Sequence, residues 1–356
     1  MRILISPLDW GLGHATRCIP LIHSFLQNGC KVYVACNATQ QHLLKKEFSD
    51  VCFLPLAGYN IRYASSKRWF AAKILQQIPK IISAIRREHK WLQNAVKEHQ
   101  IDMVISDNRF GFYHKTIPSV FITHQLLIQT PNATLSRWVQ KINYQFINRF
   151  GECWVPDYKE DMNLAGILSH PKRLPSTPVT YIGPLSRLTK QENETKEYKW
   201  LILLSGPEPQ RTLLENVLIE EFIKRPEKVL LIRGLPSNED VLSLPAQFSV
   251  FNHLPTEQLN KILAQSEFII CRSGYTTVME LISLQKKALL IPTPGQTEQE
   301  YLAVHLFKQH WCFCCPTTKE LPQSLEQINA FNFQLPQLPG IDLDKIVKSL
   351  VHKYSR

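Results

Sequence analysis

Along both halves of the chain, short runs of branched apolar residues alternate with longer stretches in which apolar positions recur every three to four residues. The first kind reads as strands buried on both faces, the second as helices covering them. In the first half the strand candidates are Arg2–Ser6, Lys31–Cys36, Val51–Leu54, Met103–Ser106, Ser119–Ile122 and Cys153–Val155. In the second they are Trp200–Leu204, Lys228–Ile232, Gln247–Phe251, Phe268–Cys271 and Ala288–Ile291. His14–Gln27 reads as a helix closed by Asn28-Gly29, a left-handed cap. Arg211–Lys224 reads as its counterpart, introduced by Pro207-Glu208-Pro209, because proline is tolerated in a first helical turn. Such alternation predicts an α/β class, with two parallel sheets covered by helices. Ser169–Lys199, rich in Pro and polar residues, reads as a linker and places a boundary near residues 185–198. The expected units are residues 1–185, residues 186–340, and a helix within 341–356 that packs back on the first unit. Ligands of open α/β sheets bind at the carboxyl ends of the strands, so the expected site is a cleft between the halves.

Length and composition narrow the class. With 356 residues, 44% hydrophobic and 20% charged, the chain has material for two cores, and long disorder, collagen and coiled coil are excluded. No apolar run reaches the roughly 18 residues that a membrane-spanning helix needs. Residues Met1–Ser6 read as a strand and not as a leader, so a cytoplasmic setting with reduced, packed thiols is expected for the nine Cys. Cys312-Phe-Cys314-Cys315 lacks a second pair at zinc spacing.

The net charge of +11 belongs to the first half, where residues 1–185 hold 22 Lys/Arg against 11 Asp/Glu and the remainder balances at 19 each. Nine of these cations (Arg62, Lys67, Arg68, Lys73, Lys80, Arg86, Arg87, Lys90, Lys97) fall within Tyr59–Gln100, among Trp69, Phe70, Ile74, Leu75, Ile78, Ile81, Ile82, Ile85 and Trp91. That mixture fits the surface of an anionic membrane. The second reading is a helix with an apolar core face and a solvated basic face, and nucleic acid is the third, because a basic patch alone does not distinguish lipid from nucleic acid phosphates.

Two segments carry chemistry. Gly11-Leu-Gly13-His14 follows the first strand and opens a helix, where free N–H groups and the positive end of the helix dipole favour an anion. His14 there is a helix-cap residue, a general base or a phosphate or sugar contact. Arg272-Ser273-Gly274-Tyr275-Thr276 follows a strand of the second half in the same way. Glu280 lies one turn further in, where a carboxylate can accept both hydroxyls of a vicinal diol, or simply be solvated. Gln299 and Glu300 open the next helix and could hold sugar hydroxyls, or serve as ordinary first-turn residues. Asp342-Leu-Asp344 precedes the last helix and reads as an N-cap, not a metal site.

Gly-x-Gly-His after the first strand, together with Arg-Ser-Gly-x-x-Thr-Val-x-Glu and a later Gln-Glu-Tyr, resembles the GT-B nucleotide-sugar glycosyltransferases. The likeness is to the peptidoglycan N-acetylglucosamine transferase and galactolipid synthase group, and its specific part is Phe251–Tyr301. The resemblance implies two Rossmann-like domains facing a central cleft. It implies an inverting transfer of a sugar from a UDP-sugar, or another nucleotide-sugar, to a lipid-linked or cell-envelope glycan acceptor. By position it assigns the nucleotide base to Phe251–Leu254 (His253 and Leu254 within it), the diphosphate to Tyr275 and Thr276, and the ribose to Glu280. It further assigns the donor sugar to Gln299 and Glu300, a phosphate loop to Ser205-Gly206, and the acceptor side to Thr123-His124-Gln125. Glu300 stands where the family has a second Gln, and Gln285-Lys286-Lys287-Ala288 replaces its Gly-x-Pro turn.

The resulting expectations are His14 as base with Asp107 as second candidate, Arg109 and His124 on the acceptor side, and helix starts holding the leaving group without a metal or other cofactor. Expected partners are the nucleotide-sugar, the acceptor and an anionic membrane surface with the enzyme peripheral to it; nucleic acid is not expected. A nucleotide-sugar 2-epimerase and a non-catalytic nucleotide-sugar or nucleic-acid binding protein are the alternatives.

Overall fold

The computed structural model describes residues 1–59, 67–130, 133–160, 162–191, 195–240 and 242–355, with backbone alone for 67–75 and 133. Arg62 and residues 192–194 of the expected linker lie outside the described residues, as do the side chains of Lys67, Arg68, Trp69, Phe70, Lys73, Ile74 and Leu75.

In the first lobe, strands β1 (Arg2–Pro7), β2 (Lys31–Cys36), β3 (Cys52–Pro55), β4 (Met103–Asp107), β5 (Ser119–Ile122), β6 (Glu152–Val155) and β7 (Val179–Tyr181) form one sheet in the order β3-β2-β1-β4-β5-β6-β7. Every pairing is parallel. Its helices are α1 (Gly13–Gln27), α2 (Ala38–Lys45), α3 (Lys67–His99) and α4 (Ala133–Ile147). In the second lobe, β8 (Tyr198–Leu203), β9 (Val229–Ile232), β10 (Phe248–Phe251), β11 (Ser266–Cys271), β12 (Lys287–Leu290) and β13 (Phe313–Cys314) are ordered β10-β9-β8-β11-β12-β13, again all parallel. Helices α5 (Gln210–Phe222), α6 (Thr256–Gln265), α7 (Tyr275–Ser283), α8 (Thr297–Lys308) and α9 (Leu321–Gln327) cover it, and α10 (Leu343–Tyr354) lies against α1 of the first lobe. These are two Rossmann-like units, the GT-B arrangement.

Strand burial explains why the runs were legible. Ile3 and Ile5 turn to the face covered by α1, whereas Leu4 joins Leu92, Ala95 and Val96 of α3 on the other, so β1 has no polar face. Burying each such side chain contributes about 1.5–3 kcal/mol. Two strands escaped prediction. β7 is three residues inside the expected linker, and β13 is two residues in a Cys-rich run, too short for periodicity to register. The sheets switch direction between β1 and β4 and between β8 and β11, and in doubly wound folds the crevice opens at those points.

The last helix is capped as expected. Asp342 Oδ1 accepts from Lys345 N at 2.9 Å, and Asp344 accepts from Ser24 Oγ at 2.8 Å and Asn28 Nδ2 at 2.7 Å, tying α10 to α1. All nine cysteines are free thiols. Gln285 takes φ +58°, a left-handed conformation that side chains seldom adopt.

Candidate active site

The chain segments that follow β1, β4, β8 and β11 converge on a cavity of about 350 Å³ between the lobes. Two glycine turns face each other across it: Gly11 has φ +78° and Gly206 φ +106°, and a Cβ on Gly11 would lie 4.0 Å from Gly206 Cα. Gly13 approaches the opposite lobe still more closely, since a Cβ there would meet Thr276 Oγ1 at 3.2 Å. Glycine is favoured by the backbone angle in the first pair, and at the third a Cβ would press on the Thr276 side chain.

The starts of α1, α7 and α8 all line this cavity through Gly13 and His14, Tyr275 and Thr276, and Gln299. None of the three has a side-chain cap, and α1 and α7 carry no acidic residue in their first turns. Helices α2 and α10 are capped by Asn37 and Asp342, while α5, α6 and α9 also lack a side-chain cap. Uncapped N–H groups with an unopposed dipole are suited to an anion such as a diphosphate.

His14 stands at the centre. Its Nδ1 is 2.9 Å from Asp107 Oδ2 and 2.9 Å from Arg17 Nη2, and Asp107, fully buried at the end of β4, also receives Arg17 Nε at 3.0 Å and Arg17 Nη2. Nδ1 thus faces an acceptor and a donor, and in the tautomer that donates to the carboxylate Nε2 keeps its lone pair. Burial and the adjacent Arg17 guanidinium lower the His14 pKa, which leaves the ring neutral. For Asp107, burial alone would raise the pKa, but Arg17 and His14 bring it below the usual carboxylate value. Beside it, Asn108 takes φ +57° and lines the cavity.

A second chain of contacts starts from the same arginine. Arg17 Nη1 lies 3.3 Å from His124 Nδ1, His124 Nε2 lies 2.7 Å from Glu298 Oε1, and Gln125 Nε2 donates to Glu298 Oε2. The His124 ring stacks on Tyr275 with centroids 4.0 Å apart, and the Tyr275 hydroxyl donates to Pro156 O at 2.7 Å. Glu298 belongs to α8 and His124 to the segment after β5, so these contacts cross the cleft.

Of the expected site residues, Gly11, Gly13, His14, His124, Ser205, Gly206, Gly274, Tyr275, Thr276 and Gln299 line the cavity. Several others do not. Asp107 lies behind His14, with no exposed surface from which to reach a substrate. Arg109 does not line the acceptor side. It is fully buried, donating to Pro7 O at 2.8 Å and to Glu88 Oε2 at 3.2 Å, because a guanidinium inside a lobe must be satisfied there. Arg272 is likewise an internal strut, bonded to the carbonyls of Ile291, Pro292 and Gln210, and Ser273 donates to Gln299 O at 2.8 Å. Glu300 turns back to accept from Gly295 N at 2.9 Å, while its neighbour Gln299 accepts from Thr293 N at 2.9 Å.

His253, Leu254 and Glu280 sit apart, along the interlobe seam near Arg187. Leu254 is a core residue. Burial first, then Arg187 and Lys46, push the His253 pKa down to about 4. Glu280 is buried, with Oε1 unpartnered, and burial raises its pKa to about 7 despite the nearby Arg187. A carboxyl whose pKa is higher in the folded chain than the ordinary 4.5 stabilises least when ionised, so its cost appears as pH rises from about 4.5 through 7. Glu280→Gln is therefore expected to raise the thermal midpoint at pH 8 by the equivalent of about 1–3 kcal/mol and to change it little at pH 4, as differential scanning fluorimetry would read.

Arg17 and Glu298 are the site residues that sequence reasoning missed. A lone Arg directly before the apolar stretch Cys18–Ile22 was the available signal for the first, since an arginine buried on a helix face needs a buried carboxylate nearby. Nothing comparable marked Glu298.

Comparison with known proteins agrees with this architecture. Residues 202–332 match the glycosyltransferase family 28 C-terminal domain. An uncharacterised glycosyltransferase of Methanosarcina acetivorans is 21% identical over 332 residues, spanning 84% of this chain and 82% of its own. The UDP-N-acetylglucosamine–N-acetylmuramyl-(pentapeptide) pyrophosphoryl-undecaprenol N-acetylglucosamine transferase of Clostridium tetani is 23% identical over 295 residues, 79% of this chain and 75% of its own. Among solved structures, spinosyn rhamnosyltransferase SpnG complexed with thymidine diphosphate superimposes with a TM-score of 0.62 at 15% identity, covering 99% of this chain and 96% of that one. With the two-lobed fold and a family 28 C-terminal domain in its second lobe, the chain is a glycosyltransferase of GT-B type.

Proposed function

We infer that this enzyme transfers a sugar, with inversion, from a UDP-sugar to a hydroxyl of a lipid-linked or envelope glycan. The observation that carries the reading is the His14–Asp107 pair at the start of α1, set across one cavity from the uncapped start of α7. In this reading His14 Nε2 takes the proton of the acceptor hydroxyl as its oxygen attacks the anomeric carbon. The bond from that carbon to the diphosphate breaks on the opposite face, and Asp107 stabilises the imidazolium that forms. The diphosphate leaves into the N–H groups of α1 and α7 beside Gly206, an electrostatic arrangement that holds growing negative charge with no metal in the scheme. Among the described residues no cluster of three His, Cys, Asp or Glu is placed to bind a metal ion. Gln299 faces the donor sugar, whereas Glu280, expected at the ribose, lies outside this cavity on the interlobe seam. The Clostridium relative acts with a UDP-sugar and the SpnG structure holds thymidine diphosphate, so the donor base is the first point to test. The test measures nucleoside diphosphate release from UDP-, dTDP- and GDP-sugars with and without a membrane extract. Release from none of them removes the proposal, and turnover of a UDP-sugar without acceptor favours epimerisation.

A membrane-facing acceptor is supported by the outer surface of the first lobe. Ile78 and Ile82 of α3 and Leu135, Trp138 and Ile142 of α4 are exposed, Trp138 by 68%, and Lys80, Arg86, Arg137 and Lys141 are exposed around them. Ile81 and Asn143 of the same two helices line the cavity, so an acceptor entering between α3 and α4 passes this surface. Among the described residues no helix is long and apolar enough to cross a membrane. The chain is expected to float with anionic liposomes at low salt. Trp138→Glu is expected to reduce that binding by about tenfold, corresponding to the roughly 1–2 kcal/mol of interfacial burial that a Trp side chain offers, with the thermal midpoint unchanged.

A further inference from the structure

One of the contacts that join the lobes at the cavity links a carboxylate of the second lobe, through His124, to the base-bearing helix of the first. Glu298 Oε1 is 2.7 Å from His124 Nε2, and Gln125 Nε2 donates to Glu298 Oε2. The opposite nitrogen of the same ring, His124 Nδ1, is 3.3 Å from Arg17 Nη1. Arg17 in turn donates through Nε and Nη2 to the carboxylate that holds His14. Donor and acceptor roles along this chain are fixed by chemistry. Ionised Glu298 can only accept, so Nε2 of His124 bears the proton. Arg17 can only donate, so Nδ1 of a neutral His124 presents its lone pair to the guanidinium. With both ring nitrogens engaged, and its face covered by Tyr275 of the second lobe at 4.0 Å, His124 has no free nitrogen with which to act as a base.

We propose that Glu298 is a positioning residue that completes the catalytic centre only when the lobes close: it selects the Nε2–H tautomer of His124, which then fixes Arg17 against Asp107 and His14. Opening the cleft withdraws Glu298 and Tyr275 together. His124 is then free to change tautomer or turn, and Arg17 loses one of its acceptors. The base is thereby aligned only in the closed enzyme, where bulk water is excluded from the sugar being transferred. The proposal rests on reading His14 as the base.

The test is histidine-selective 15N labelling of the full chain with UDP added, comparing the wild type with Glu298→Ala and Glu298→Gln. The wild type and Glu298→Gln, whose amide oxygen can still accept from Nε2 while the Gln125 amide turns over, are expected to keep His124 protonated on Nε2 alone. Glu298→Ala is expected to give a tautomer mixture. In transfer assays Glu298→Ala should lower kcat by about tenfold or more with KM for the nucleotide-sugar within about threefold, and Glu298→Gln should restore most of kcat. Unchanged His124 spectra in Glu298→Ala overturn the proposal. So does a loss that appears mainly in KM and is not restored by glutamine, which would make Glu298 a donor contact. If no transfer is detected for the wild type, the reading of His14 falls, and the nitrogen spectra still decide whether Glu298 sets the tautomer.

Discussion

Replacing His14 with Ala is expected to lower kcat by about 10²- to 10⁴-fold, the range over which a positioned general base acts. The fold should be retained, because the His14 ring faces the cavity and its removal leaves the Arg17–Asp107 pair intact. Thermal stabilisation by UDP should also survive, since the N–H groups at the start of α1 belong to the backbone. Loss of both turnover and nucleotide binding would instead make His14 a ligand contact. The wild-type pH profile supplies an independent check. A base must be neutral to accept a proton, and burial together with Arg17 depresses the His14 pKa from 6.5, so the acidic limb of kcat/KM should have its midpoint below 6.5. A limb above that value would contradict the electrostatics of the site.

The second large effect is on stability. Asp107→Ala leaves Arg17, only 1% exposed, without its carboxylate, and breaking a buried pair in this way costs about 3–5 kcal/mol. Urea denaturation should show the midpoint falling with little change in slope. Asp107 has a folded pKa below its ordinary value, so its contribution is present above the usual carboxylate range and is lost as pH falls through the lowered one. The variant should consequently show a shallower loss of stability than the wild type below about pH 4, because the wild type alone must protonate this group. A variant as stable as the wild type at pH 7 would mean that Arg17 finds another acceptor.

The architecture was readable from the chain because parallel sheets covered on both faces leave nearly unbroken apolar runs. Ile3, Leu4 and Ile5 are all buried, with neighbours on alternate faces of one sheet. The glycine turns were readable for a related reason, since a Gly after a strand and before a helix marks a backbone that must bend next to something. Arg272 and Arg109 were misplaced because sequence gives a charge but not its direction. Both lie within conspicuous motifs, and both point inward to backbone carbonyls. Arg109 even keeps Nη2 without a partner. Glu298 was invisible for a different reason. Its partner lies 174 positions away on the other lobe, and no local pattern distinguishes a first-turn glutamate that meets solvent from one that meets histidine.

Because α10 crosses from the second lobe to settle on α1, the halves are connected twice, once by the segment leading into β8 and once by the return to Leu343. Two tethers on one side suppress sliding and leave rotation as the easy relative movement. Displacement then grows with distance from that axis, as it does at the free edge of a door. Severing the return by deleting residues 343–355 would therefore loosen the direction of motion as well as the packing of α1, and the lobes would drift out of register before they moved apart.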